Sequence, residues 1–264
     1  DHLGYRIAGP GRGPLAYGEG SGPGRMLEPE EIIQHVGRAL GRDSAWEGRR
    51  VVVTAGPTRE PLDPVRFLGN RSSGRMGFAL AGAAWRRGAR VTLITGPTFL
   101  QDPTCIETRR VETGEEMEGE VQAALPDADV LIFAAAVSDF KPQASGHRKL
   151  KRSRKGDEVQ IRLSPTTDVA LSTVQGRKTG AVALGFALET EDLLENARRK
   201  MREKGFDLIA ANSASEEGAG FDVDTNRITI LDNEGGVEEL PILAKEEVAE
   251  KLLDRLSHFL QGGR

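Results

Sequence analysis

The sequence predicts an α/β fold with a Rossmann-like, mostly parallel sheet flanked by helices and a small β-hairpin, and three observations carry that expectation. From about residue 50, short apolar runs alternate with helix-length amphipathic stretches, the pattern of βαβ units. Two of those runs, 51–55 and 131–135, break into small, polar, loop-forming residues, as strands do when a ligand lies beyond their carboxyl ends. Late in the chain, 227–231 and 237–240 flank Asp232-Asn233-Glu234-Gly235-Gly236, a hairpin signal.

In order, residues 1–25 hold eight glycines and three prolines with little apolar periodicity, and read as a tail or linker. Glu28-Pro29-Glu30-Glu31 opens a helix with proline and acids in its first turn, putting Ile32, Ile33, Val36 and Leu40 on one stripe. Gly41 to Gly48 marks a boundary. The main body then runs strand 51–55, a long loop, helix 75–87, strand 90–95, helix 114–124 and strand 129–135. Residues 141–156 are cationic with little to bury, and read as an exposed, mobile loop. Next come strand 158–163, a helix from about Thr167, strand 181–187, helix 192–204 and strand 207–211. The hairpin 221–240 follows, and a closing helix near 243–260 carries Val248, Leu252, Leu256 and Leu260 at helical spacing.

At 264 residues and 38% hydrophobic, the chain holds one large core, or one core and a small appendage. Its net charge of −4 disfavours a nucleic-acid partner and suits a small anionic ligand held by local cations. One cysteine, Cys105, excludes an internal disulfide and, with four histidines, makes a poor metal set, so a reducing, cytoplasmic setting is expected. No run approaches the roughly 18 apolar residues of a membrane span, and no membrane partner is expected. Because it opens on Asp1, the chain is expected to be a piece of a longer protein.

Candidate chemistry concentrates in four places. In residues 70–77, serines and glycines ahead of a helix let backbone N–H groups approach a phosphate, with Arg75 adding charge; alternatively Ser72 or Ser73 is an N-cap and the glycines permit close packing. In 134–139, small residues bring backbone close to a flat base and Asp139 accepts from an exocyclic amine, or else they pack a crossing helix and Asp139 caps a loop. Lys149, Lys151 and Arg152 in the cationic loop either neutralise a triphosphate or form a solvated surface. Lys200 and Lys204, four apart on a helix, share a face and reach one polyphosphate together.

Long motifs join these places. They are Thr54-Ala55-Gly56-Pro57-Thr58-Arg59-Glu60-Pro61-Leu62-Asp63-Pro64-Val65-Arg66, Asn70-Arg71-Ser72-Ser73-Gly74-Arg75-Met76-Gly77, Ala135-Ala136-Val137-Ser138-Asp139, Lys149-Leu150-Lys151-Arg152, Gly185-Phe186-Ala187-Leu188-Glu189-Thr190 and Ala211-Asn212. From Arg49 to about His258 the chain closely resembles phosphopantothenoylcysteine synthetase, the ligase domain of the bifunctional bacterial flavoprotein of coenzyme A synthesis.

The resemblance implies a ligase joining 4'-phosphopantothenate to L-cysteine, with CTP as co-substrate and Mg²⁺ (or Mn²⁺) as cofactor, through an acyl-cytidylate that releases CMP and pyrophosphate. It implies Lys149 as the essential loop lysine acting on the phosphate transition state, and Asn70 as a hydrogen-bond donor to the acyl carbonyl. The nucleotide-binding residues it implies are Phe133, Ala134, Ala135, Asp139, Lys149, Thr167, Asp168, Val169, Ala170, Phe186, Lys200 and Lys204. Gly56, Ser72, Ser73, Gly74 and Arg75 are the expected phosphate and substrate residues. Thr167 stands where the family commonly has proline, and Arg152 where lysine is common. A homodimer is implied, with the hairpin as the dimerisation element and the Lys149 loop supplied by either subunit.

Residues 1–47 then read as the end of a preceding flavin-dependent decarboxylase domain plus a linker helix, and 48–264 as the synthetase domain. Tyr17 stands where the decarboxylase usually has its acid cysteine, and neither decarboxylase activity nor FMN is expected of this chain. A nicotinamide-dependent reductase would end its second strand in an acid for the ribose, and Val91-Thr92-Leu93-Ile94-Thr95-Gly96-Pro97 supplies none. A noncatalytic nucleotide-binding module would keep the base site but has no need of the cationic loop or Asn70, and both are present.

Overall fold

The computed structural model describes residues 5–16, 18, 20–143, 146, 148–149, 159–189, 191–213 and 225–262. Tyr17, Lys151, Arg152 and Thr190 lie outside the described residues, as does the start of the expected hairpin at 221–224.

The apolar runs build the strands of one eight-stranded sheet: β1 (Arg50–Ala55), β2 (Arg90–Thr95), β3 (Glu107–Arg110), β4 (Val130–Phe133), β5 (Val182–Glu189), β6 (Leu208–Ser213), β7 (Thr229–Asp232) and β8 (Val237–Glu239). Their order is β8-β7-β6-β5-β4-β1-β2-β3. Six are parallel, and the hairpin β7-β8 adds antiparallel to β6. The expected hairpin therefore extends the main sheet. From β1 the chain winds outward through β2 and β3; from β4 it winds the other way through β5 and β6. That reversal leaves a crevice beyond the carboxyl ends of β1 and β4.

Helices α2 (Arg75–Arg86) and α6 (Lys245–Leu260) cover one face, and α3 (Gly114–Ala124), α4 (Val169–Ser172) and α5 (Leu193–Lys204) the other. Strand alternation divides the core accordingly: Val51, Val53, Ile132, Leu184 and Ala210 face α2 and α6, while Val52, Leu131, Phe133, Ala183 and Ile209 face the other layer. A Cβ on Gly77 would lie 2.5 Å from the Ala55 Cβ, so glycine lets α2 press onto β1. Arg87, almost wholly buried, clamps α2 to α6 through Glu250 at 2.9 Å and Asp254 at 2.6 Å.

Four parts of the sequence reading change. The opening segment forms a two-stranded ribbon, Gly11–Pro14 with Ser21–Arg25, where a tail was expected. Helix α1 (Pro29–Leu40) forms, but it docks on α2 through Gln34 and Arg38, and Ile33, Val36 and Leu40 on its apolar stripe face outward. The body extends past the boundary expected at 48: Trp46 is fully buried and donates to Ser257 Oγ at 2.7 Å, and Ser257 donates to Asp43. The strand expected at 158–163 is a short pairing of Leu163–Pro165 with Phe140–Pro142, placed by Thr166 N–H donating to Asp139 O.

Candidate functional site

A cleft of about 590 Å³ occupies the crevice at the strand-order reversal. The stretch after β4 forms its floor and is zipped to the stretch after β1. Ala134 N–H donates to Thr54 O, Ala136 N–H to Gly56 O at 2.9 Å and Ser138 N–H to Thr58 Oγ1 at 2.9 Å. Thr166 is tied to the same stretch through Ser138 O and Asp139 O. Three loops from distant parts of the sequence thus hold one rigid ledge.

The cleft gathers Asn70, Ser72, Ser73, Gly74, Arg75, Phe133, Ala134, Ala135, Asp139, Thr167, Asp168, Val169, Ala170, Phe186, Lys200 and Lys204, all expected site residues. Gly56 and Lys149 do not line it. Gly56 lies beneath Gly74: a Cβ on Gly74 would be 3.3 Å from the Gly56 Cα and 2.8 Å from the Thr98 methyl, so Gly56 makes room for the turn. Lys149 is exposed outside the cleft.

Gly74 is the N-cap of α2 in left-handed conformation, at φ 81°, which only glycine adopts without strain. Neither serine caps the helix; Ser72 Oγ instead accepts from Gly74 N–H at 3.3 Å. Gly74 gives α2 no side-chain cap, and Arg75 and Met76 of its first turn line the cleft.

Asn70 is tied to the ledge. Its Nδ2 donates to Ala136 O at 3.2 Å and Val137 O at 3.0 Å, and two carbonyl partners fix the amide orientation. Both donor hydrogens are used, so the side chain offers Oδ1, an acceptor; donation to an acyl carbonyl requires those bonds to be given up.

On the α4/α5 side both expected lysines face carboxylates. Lys204 Nζ lies 2.8 Å from Asp168 Oδ2, and Lys200 Nζ 2.7 Å from Glu189 Oε1 in an ion pair without hydrogen-bond geometry. Asp168 also caps α4, accepting from Leu171 N–H at 3.0 Å. Beneath them Arg177 donates to Ala170 O at 3.1 Å and Gly205 O at 2.6 Å and stacks near Phe133 and Phe206. Burial lowers its pKa from the usual arginine value, and Asp207 opposes that shift.

Phe133 and Phe186 lie on opposite faces, because Phe133 pairs with Gly185 and Phe186 is one step beyond. The cleft therefore straddles the sheet edge, with one half toward α2 and α6 and the other toward α4 and α5. Sequence reasoning missed Asn226 and Lys245, both buried in its lining, and Arg177 below it. A lone lysine opening a helix carries no sequence signal of a site. Among the described residues no three His, Cys, Asp or Glu side chains converge to hold a metal.

Residues 46–260 match the DNA/pantothenate metabolism flavoprotein C-terminal domain family. Coenzyme A biosynthesis bifunctional protein CoaBC of Bacillus subtilis is 40% identical over 257 residues, which is 96% of this chain and 62% of that protein. CoaBC of Vibrio cholerae is 40% identical over 250 residues, 95% of this chain and 62% of its own length. The chain thus spans under two thirds of these curated relatives. A crystal structure of a CoaBC C-terminal domain superposes with a TM-score of 0.70 at 36% identity, covering 83% of this chain and 99% of that one. A Cab2 variant in complex with phosphopantothenate-cysteine shares the fold, with a TM-score of 0.65 at 16% identity, 90% of this chain and 97% of that one. With the matched residues enclosing the cleft on both faces of the sheet, the chain belongs to the DNA/pantothenate metabolism flavoprotein C-terminal domain family.

Proposed function

We propose that this chain is a phosphopantothenate–cysteine ligase that uses CTP to activate the carboxylate of 4'-phosphopantothenate for attack by the amine of L-cysteine. The observation that carries this reading is the convergence on one cleft of Asn70, residues 72–75, 133–139, 167–170, Phe186, Lys200 and Lys204. The reaction consumes two anionic substrates and expels pyrophosphate, so it needs cations and N–H donors on both sides of a flat-base platform. The ledge 134–136 offers backbone to a base, and Asp139 offers a carboxylate without a side-chain partner among the described residues.

Attack of the substrate carboxylate oxygen on the α-phosphorus forms an acyl-cytidylate and breaks the bond to pyrophosphate. The cysteine nitrogen then bonds to the acyl carbon, CMP leaves, and the nitrogen loses a proton. In this reading Asn70 accepts a hydrogen bond from that amine through Oδ1, its Nδ2 being engaged with Ala136 O and Val137 O. Lys200 and Lys204 meet phosphate by exchanging their carboxylate partners for it, and Lys149 reaches the cleft from its loop or from a second subunit of a homodimer. Among the described residues no side chains converge into a metal cage, so Mg²⁺ would fit as a cation carried by the nucleotide, with Asp139 as the carboxylate that would help hold it. It would draw charge from the departing pyrophosphate. The outward stripe of α1 offers a docking face for the decarboxylase domain of a bifunctional protein, in a cytoplasmic setting.

The test is pyrophosphate release with 4'-phosphopantothenate, comparing CTP with ATP, with and without cysteine, in the native chain and Lys149→Ala. CTP-selective release that requires phosphopantothenate and falls at least 100-fold in the variant is expected. A folded chain that binds CTP and releases nothing would overturn the ligase reading in favour of a nucleotide-binding module.

A further inference from the structure

We propose that Arg177 is a positioning residue for the nucleotide half of the cleft: from beneath the floor it locks α4 to the end of α5, and so fixes where residues 167–170 stand relative to Lys204. This deepens the ligase reading and rests on it for the identity of the nucleotide.

The guanidinium fork spans both elements at once. Its Nη1 donates to Gly205 O at 2.6 Å, its Nη2 to Ala170 O and Thr173 Oγ1, each at 3.1 Å, and its Nε to Thr173 Oγ1 at 3.2 Å. Ala170 lines the cleft, and Gly205 directly follows Lys204 as the left-handed C-cap of α5, at φ 57°. The same guanidinium lies 5.6 Å from the centre of the Phe133 ring and 5.8 Å from that of Phe206. Both rings line the cleft, and their centroids are 5.7 Å apart. One side chain thus meets the helix, the helix end and the aromatic floor that together present the expected nucleotide residues.

Satisfying carbonyl groups does not account for this arrangement. Ala170 O already accepts from Thr173 N–H at 3.3 Å and from Thr173 Oγ1 at 2.7 Å, which occupies both of its lone pairs. What a third donor adds there is a tie to α5. Nor does an ion pair hold Arg177 among the described residues: the Asp207 carboxylate is engaged by Ala183 N–H at 2.9 Å and Asn233 Nδ2 at 3.0 Å. The Lys204–Asp168 pair also joins α5 to the cap of α4, but it stands in the cleft lining, where an incoming phosphate replaces it. The Arg177 tie lies below the floor, on uncharged partners, and keeps the two elements in place while that pair opens.

The test compares Michaelis constants for CTP and 4'-phosphopantothenate, calorimetric CTP binding and melting temperatures in Arg177→Met, Arg177→Lys and Arg38→Met. Arg38 is the control: it too donates to carbonyls, those of Gly88 and Ala89 at 3.2 Å, and lies 4.6 Å from the Trp85 ring, but at the carboxyl end of α2, away from the cleft. Arg177→Met should raise the KM for CTP about tenfold, weaken CTP binding equally and leave the KM for 4'-phosphopantothenate unchanged. Arg177→Lys, which keeps the charge without the fork, should recover part of that loss. Arg38→Met should lower the melting temperature and move neither constant. Unchanged CTP constants in folded Arg177→Met, or equal rises for both substrates, overturn the inference and leave the ligase reading standing. Should Arg177→Met fail to fold, Thr173→Val, which removes the hydroxyl that receives Nε and Nη2, decides by the same split between the two constants. If the native chain binds CTP without turnover, weaker CTP binding in Arg177→Met sustains this inference while the ligase reading falls, and binding indifferent to Arg177 overturns it. A native chain that binds no CTP overturns both.

Discussion

The two halves of the cleft hold their cations in different ways. Toward α4 and α5, Lys200 and Lys204 are already paired with Glu189 and Asp168, so an incoming phosphate gains only the difference between two ion pairs. Toward α2 and α6, helix α2 begins on Gly74 without a side-chain cap and is pressed against β1 by glycine. On the proposed reading the first half would exchange partners on binding while the second would meet its ligand in place, and preorganised donors lose less on binding.

The strongest way to break that contrast is Gly77→Ala, whose new methyl would lie 2.5 Å from the Ala55 Cβ and force α2 off the sheet. A stability loss of about 1–3 kcal/mol in denaturant titration is expected, with activity falling further than stability because the helix start moves. The exchange half is sharpened by a pair of opposite effects. Lys204→Met should raise the KM for nucleotide about tenfold, whereas Glu189→Gln, which removes a competing carboxylate, should lower it severalfold; a rise in Glu189→Gln would show that the carboxylate positions Lys200 instead of competing for it. Arg177→Met should cost roughly 1–2 kcal/mol by removing the donor to the Gly205 carbonyl, and should raise the nucleotide KM more than that of phosphopantothenate.

The smallest effect concerns the α2–α6 clamp. Burial alone would raise the Glu250 pKa, but hydrogen bonds from Arg86 and Arg87 outweigh it and hold the group below the ordinary value of 4.5. The unfolded chain therefore takes up the proton first as pH falls, so this contribution is complete above that value and is lost as pH drops through the lower folded one. Glu250→Gln should flatten the acid limb of a stability-against-pH curve below about pH 4.5 and leave the cleft's substrate constants unchanged.

The strand core was legible because parallel strands buried on both faces read as continuous apolar runs, as in Val51-Val52-Val53 and Leu131-Ile132-Phe133. Edge strand β3, Glu-Thr-Arg-Arg, has no such run and was invisible. The opening ribbon was hidden by its glycine and proline content, and α1 showed its stripe without showing that it turns outward. Most of the cleft could be found from long motifs. Its division into halves could not, because that depends on register: Phe133 opposite Gly185 sends Phe186 to the other face. Lys245 and Arg177 became visible only when folding placed a buried cation at the cleft and another beneath it.

Asn70 has a consequence beyond its own chemistry. By donating to Ala136 and Val137, it ties the loop that leads into α2 to the ledge proposed to carry the base. Were a ligand on the loop side to strengthen binding at the ledge through this tie, thermodynamic reciprocity would require a ledge ligand to strengthen binding at the loop side by the same factor. On the proposed ligase reading, any cooperativity between the two substrates would pass through this one amide group. In double titrations, Asn70→Ala should bring the coupling factor toward one even where each substrate still binds alone.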